Sequence, residues 1–300
     1  MVHPSHTIRR PVVAGQFYTG DPVVLRQQIT TFLSAGVDSG ADTSAEKRRQ
    51  SAAACGDAPT LLAMVPHAGY VYSGAVAGQT LGAARLAGTV ILLGPNHTGR
   101  GEAVAVWPGG EWLSPLGSVA VDSDFAACLV KSDPVFALDT AAHLYEHSLE
   151  VVLPFLQVAR PDVKIVPIAI ATPSPEVLAR CGAALARCIQ AHGAPVTMVV
   201  STDMSHYVSH EEARRNDLLA LAMIESIDPE GLYNTVREHG ITMCGVLPMT
   251  AGLVACRLLG ADRASITRYA TSGEVSGDMD KVVGYAGALV HAPRTACSGA

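Results

Sequence analysis

The chain has 300 residues, of which 49% are hydrophobic and 16% charged, and its formal net charge is −6. That composition supplies a large buried core and excludes a disordered chain. The acidic balance, with no basic run beyond Lys47, Arg48 and Arg49, excludes a nucleic-acid-binding face, and the 5% aromatic content excludes a base-stacking platform.

Helical spacing comes first. Leu25, Ile29, Phe32 and Leu33 fall on one face and predict a helix over 24–37. The polar, small and charged stretch 38–59 reads as a surface insertion, centred on 38–57. From residue 60 the chain alternates: a strand at 60–65, a small-residue helix at 73–88, and a strand at 89–94 that is apolar on both faces. The segments 102–108 and 117–123 are expected to pair with one another, and a helix begins at 125. A helix at 147–160 carries Pro154 as a kink, and a strand follows at 164–171. The helix at 174–193 has a serine cap, proline and glutamate in its first turn, and a terminal glycine. A strand at 196–201 precedes helices at 209–228, 228–240 and 244–260, the last interrupted by Pro248, and the final strands are 264–270 and 281–290. This order predicts an α/β fold: a single domain with a central, mostly parallel or mixed sheet flanked by helices. Ligands in such sheets bind beyond the carboxyl ends of the strands.

Three apolar strands end in histidine-bearing loops: Pro66-His67, Pro95-Asn96-His97, and the loop holding Asp203, His206 and Tyr207. If the strands are parallel, all three open on one edge, and imidazoles converging there suit Zn, Fe, Cu or Ni. A single strand-end histidine also reads as an ordinary hydrogen-bonded loop residue. Cys244 lies at a helix start, where unpaired N–H groups favour a thiolate; the alternative is a small buried hydrophobe, as read for Cys256. In "HLYEHSLE" the spacing of His143 and His147 resembles a zinc helix only superficially, because Leu144 stands where that motif needs glutamate. The stretch reads instead as a helix N-terminus, with His147 lining a pocket and Glu150 pairing elsewhere. The acidic, glycine-rich stretch from 271 reads as a loop before the last strand, ordered by Ser272, Gly273 and Asp278 or simply solvated. No GxGxxG follows a strand and no GxSxG is present, which disfavours nicotinamide chemistry and an α/β-hydrolase. The seven scattered cysteines, with no CxxC pair, suit a reducing compartment, and no apolar leader or span of about 18 residues is visible, so the expected location is cytoplasmic.

Together "RRPVVAGQFY", "PHAGYVYSG", "LLGPNHTG", "EHSLEVVLPFL", "STDMSHY", "CGVLPM" and "YATSGEVSGDMDKVVGYAGA" resemble the Memo-like family, whose prokaryotic members are known as AmmeMemoRadiSam system protein B. The resemblance implies one Memo-like domain over 1–300 and a fold similar to class III extradiol ring-cleaving dioxygenases. It implies that His67, His97 and Cys244 bind a metal, Cys244 standing where the dioxygenases have a carboxylate. It makes His206 the acid/base, with Asp203 beside it to orient or tune it, and Phe17 and Tyr72 pocket-lining aromatics, where the family usually has tryptophan at the first. Ferrous iron is the expected cofactor, with copper or zinc as alternatives. An AMMECR-like protein and a radical SAM protein are the implied pathway partners. The leading reading is a metal-dependent redox enzyme with a dioxygenase-like site. The alternatives are a non-enzymatic metal- or partner-binding protein and a zinc-dependent hydrolase.

Overall fold

The computed structural model describes residues 7–35 and 60–292, so the expected insertion at 38–57 lies outside the described residues. Four strands form the centre of the main sheet: β2 (Thr60–Val65), β9 (Val196–Ser201), β3 (Thr89–Pro95) and β8 (Lys164–Ile170), adjacent in that order and all parallel. Their residues are buried on both faces, which explains why the sequence shows unbroken apolar runs there. Beyond β8 lie β4 (Val104–Val106), antiparallel to it, and β7 (Ala137–Leu138). Beyond β2 lies β12 (Val282–His291), antiparallel, carrying β11 (Arg263–Thr271) and β10 (His206–Val208), which makes nine strands of a mixed sheet among the described residues.

Side chains alternate between two cores, as the twofold period of a strand requires. Leu62, Met64, Ile91 and Leu93 face the helices α3 (Ser123–Ser132), α5 (Pro175–Ala191), α6 (His210–Glu225), α7 (Pro229–Glu238) and α8 (Val246–Leu258). Ala63, Val65, Val90 and Leu92 face α1 (Pro22–Ser34), α2 (Tyr70–Ala83) and α4 (Ser148–Ala159). The short α9 (Gly273–Ser276) precedes β12 within the stretch read as a loop. There Ser272 Oγ accepts from the Val283 N–H, and Asp278 from that of Asp280 at 2.9 Å.

The caps explain where several helices begin. Asp21 accepts from the N–H groups of Val23 and Val24 ahead of α1, and Ser174 accepts from Val177 with Pro175 in the first turn of α5. The small residues of α2 serve a close approach to α1: a Cβ on Gly78 would stand 2.3 Å from that of Phe32. This helix starts at Tyr70 and stops at Ala83, where Ala84 turns extended, against the expected 73–88. Pro248 does not interrupt α8. It sits in the first turn, whose N–H groups have no intrahelical acceptor anyway.

The expected pairing of 102–108 with 117–123 is wrong. Val104–Val106 joins the main sheet, while β5 (Glu111–Ser114) and β6 (Gly117–Ala120) form a hairpin turning at Pro115-Leu116. With β1 (Ile8–Arg9), parallel to β5, they make a separate three-stranded sheet. Among the described residues, no helix is long and apolar enough to cross a membrane.

Candidate metal centre

Because β2, β9 and β3 run parallel, their carboxyl ends deliver His67, Asp203 and His97 to one edge of the sheet. The ring of His67 is buried, with Nδ1 2.7 Å from Ser201 Oγ. Ser201 gives its own proton to the Ser148 carbonyl at 2.7 Å. Its oxygen therefore accepts from His67, which fixes the Nδ1–H tautomer and leaves Nε2 as a bare lone pair. That Nε2 lies 3.4 Å from Cys244 Sγ. Burial, then the neighbouring His147 and His97, hold the His67 pKa well below the ordinary imidazole value, so it stays neutral.

His97 is more exposed and is held by Glu146. Its Nδ1 lies 2.8 Å from Glu146 Oε1, and its backbone N–H donates to Oε2. The Ser148 N–H donates to the same carboxylate at 2.9 Å. Burial works against the Glu146 charge, but the bond and charge of His97 outweigh it and hold the carboxyl at about 2. The His97 pKa is raised in return: burial opposes its charged form and the bond to Glu146 overcomes it. A carboxylate on Nδ1 is the arrangement that aims the other nitrogen of a ligating histidine.

Cys244 stands one residue before Gly245, the cap of α8. The Asp203 N–H donates to its sulfur at 3.2 Å. The expectation of a helix-favoured thiolate fails here. Burial, then the charge of Asp203, push the Cys244 thiol up to about 12, and Cys244 lies before the helical turn whose dipole would have favoured the anion. A cation would have to displace the proton. Gly245 is needed for the close approach of α8 to the end of β9: a Cβ there would come 2.3 Å from that of Thr202.

One ring nitrogen from each of His67 and His97, together with the Cys244 sulfur, lie within 4.8 Å of one another. With both Nδ1 atoms occupied by Ser201 and Glu146, the donors that remain are two imidazole nitrogens and a sulfur. That set fits a soft or borderline transition metal. His97, Glu146 and His147 form a second group at the same spacing, but the Glu146 oxygens already accept three N–H groups, which makes it the orienting carboxylate.

His147 caps α4 and stacks on His97 with centroids 4.8 Å apart, edge-on to His67 at 5.4 Å. Burial lowers its pKa. The Phe17 ring meets His147 edge-on at 5.0 Å. Phe17 and Tyr72, the latter in the first turn of α2, line an open groove of about 940 Å³ whose lining includes none of His67, His97, Cys244 and His147; of the two, Phe17 touches both the groove and His147. His206 sits at a bulge of β10, next to Tyr207 with a left-handed φ of 59°. Among the described residues, the hydrogen bonds that position His206 come from Thr242: its N–H donates to Thr242 Oγ1 at 2.7 Å, and its Nδ1 lies 3.0 Å from the Thr242 carbonyl. The Asp203 carboxylate accepts instead from the His67 N–H at 2.8 Å, and burial raises its pKa.

Sequence reasoning passed over the roles of Glu146, Ser201 and Thr242; it expected Glu150 to pair away from the pocket, as it does, without naming Arg9 as the partner. Arg9 bonds the Glu150 carboxylate, donates to the Glu146 carbonyl at 2.6 Å and lies over the Trp112 ring at 4.7 Å. Glu150 also collects the Val12 and Val13 N–H groups and the Tyr18 hydroxyl, each at 2.9 Å. This network ties the segment bearing Phe17 to the turn bearing His147. The available signal was one carboxylate inside an otherwise apolar helix, "SLEVVLPFLQVA". His143 takes no part in the site: its Nε2–H donates to the Ala105 carbonyl at 3.1 Å between the rings of Trp107 and Trp112.

The fold and the site define a mixed α/β protein with a His/His/Cys candidate metal centre at the carboxyl edge of its sheet. The chain belongs to the family described as Memo-like protein, whose model matches residues 9–289. It is 41% identical over 284 residues to a MEMO1 family protein of Saccharolobus solfataricus, covering 92% of this chain and 97% of that protein. It is 38% identical over 282 residues to a MEMO1 family protein of Methanothermobacter thermautotrophicus, covering 93% and 99%. A crystal structure of an uncharacterized protein from Escherichia coli K12 superposes with a TM-score of 0.47 at 15% identity, covering 77% of this chain and 99% of that one.

Proposed function

We propose that this protein is a metal-dependent redox enzyme with a dioxygenase-like site, in which His67, His97 and Cys244 hold one iron or copper ion. The observation that carries the reading is the convergence of these three donors within 4.8 Å, with Nδ1 of each histidine engaged by Ser201 or Glu146 so that Nε2 is the nitrogen left to bind. When bound there, iron or copper supplies the one-electron and O₂ chemistry that protein side chains lack.

The chain's own residues supply the rest. His67 stays neutral in its buried setting and so presents its Nε2 lone pair at neutral pH. Glu146 and Ser201 hold the two rings in register. His206, with Nδ1 turned to the Thr242 carbonyl, has Nε2 left to take or give a proton. Asp203 fixes the His67 loop through its N–H and adds negative charge near His206. Phe17 and Tyr72 line the groove proposed to receive a small-molecule or peptide substrate, and Phe17 links that groove to His147, the third proposed substrate-binding residue.

Anaerobic reconstitution with Fe(II), followed by absorption spectroscopy before and after O₂, tests this reading. The expected result is a sulfur-to-metal band that depends on Cys244 and changes on exposure to O₂. Retention of colourless zinc alone, with hydrolytic turnover and no response to O₂, would replace the redox reading with a zinc hydrolase.

A further inference from the structure

Two cysteines that play no part in the metal centre face each other across the helical layer. Cys128 lies on α3 and Cys188 near the end of α5, helices packed side by side against the same core. Their sulfurs are 2.7 Å apart while both are free thiols. A bonded pair would sit at about 2.0 Å, so only a small movement separates the two states. The geometry points to a redox modification site: Cys128 and Cys188 are a reversible dithiol/disulfide couple that staples α3 to α5, with a small-molecule disulfide of the glutathione class as its oxidant.

The surroundings divide the labour between the two thiols. Cys128 is half-buried and gives a reagent entry, whereas Cys188 is buried. Burial, then the bond to Cys128, push the Cys188 thiol up to about 12, which makes it the second group to react. Arg187 is exposed beside the pair and donates to the Ser132 carbonyl at 3.3 Å, which places a cation where an anionic disulfide would approach. Cys181 and Cys256 are buried thiols held up to about 12 and higher, each by burial first.

The chemistry balances as thiol–disulfide exchange. Cys128 loses its proton and its sulfur attacks one sulfur of the external disulfide, forming a mixed disulfide and releasing one small thiolate, which takes up that proton. Cys188 then loses its proton and attacks the Cys128 sulfur, forming the intramolecular bond and releasing the second small thiolate, again protonated. The protein dithiol is oxidised by two electrons and the external disulfide is reduced by two.

The test uses the full-length protein, first reduced with dithiothreitol and then equilibrated with oxidised glutathione. Free thiols are alkylated under denaturing conditions and the peptides are mapped by mass. The expected result is loss of alkylation at Cys128 and Cys188, a cross-linked peptide joining them, and a thermal midpoint raised by several degrees that dithiothreitol reverses. In Cys188→Ala the exchange should stop at a glutathione adduct on Cys128. Full alkylation of both cysteines after oxidation would overturn the proposal. So would a stable Cys128 adduct in the unsubstituted protein, or a cross-link that pairs either cysteine elsewhere.

Discussion

Ser201 and Glu146 each make one hydrogen bond to a histidine ring of the candidate metal centre, and each bond decides which ring nitrogen is free. Removing either loosens the ring it holds without removing a donor. Ser201→Ala and Glu146→Gln are therefore each expected to weaken metal binding by about 10- to 100-fold, measured by competition with a chromophoric chelator. Unchanged affinity in both variants would contradict the roles given to these side chains. Cys244 yields a different prediction. With its thiol pushed up to about 12 by burial and by Asp203, only about one molecule in ten thousand carries the thiolate at pH 8. Alkylation of Cys244 in metal-free protein should then be slower, by orders of magnitude, than that of an ordinary exposed cysteine. Rapid modification at pH 8, followed by peptide mass, would show that the thiolate forms without a metal.

At the scale of elements, two close approaches fix how the site is assembled. Gly245 lets the start of α8 lie against Thr202, and Ala at this position would have to push the Cys244 turn away from β9. Gly245→Ala should lower metal affinity and the thermal midpoint together, and an unaltered metal titration would contradict the packing argument. Arg9 joins β1 to α4 through a fully buried ion pair. Arg9→Ala leaves Glu150 charged and without its cation, and should cost about 3–5 kcal/mol of stability in chemical denaturation. A loss below about 1 kcal/mol would mean that Glu150 is satisfied by its remaining donors.

The same elements show what a sequence discloses. β2, β3 and β9 were legible because each is a short apolar run ending at proline or polar loop residues, and that pattern needs no partner to be recognised. His67 and His97 followed from those ends. The hairpin of β5 and β6 was misread because the alternation in 102–108 and 117–123 fits two strands without saying which sheet either joins. That choice depends on Ile8 pairing with Glu111, a contact across about a hundred residues that no local pattern carries. Glu146 and Arg9 were hidden for a related reason: their roles exist only once distant segments meet.

For the whole molecule, the order β2-β9-β3-β8 explains why strands far apart in sequence open their histidine and aspartate loops on one edge. A second consequence concerns pH. His143 is buried and neutral: burial, offset in part by the bond to the Ala105 carbonyl, holds its pKa at about 4. The unfolded chain takes up this proton near pH 6.5, while the folded chain resists until about 4. Stability from this residue is therefore complete above 6.5, falls as the pH drops through that window, and levels off below it, a loss of about 3 kcal/mol. Denaturation curves between pH 7 and 4 should show that loss, and His143→Gln should flatten the slope by about one proton.

If His67, His97 and Cys244 together hold one ion, the loss of any one donor should release it. This is tested most directly by elemental analysis of the protein purified without chelator, alongside His67→Ala and Cys244→Ala variants shown to be folded by circular dichroism. The expected result is about one transition-metal ion per chain in the parent and its loss in both variants. Metal content unchanged by both substitutions would contradict it.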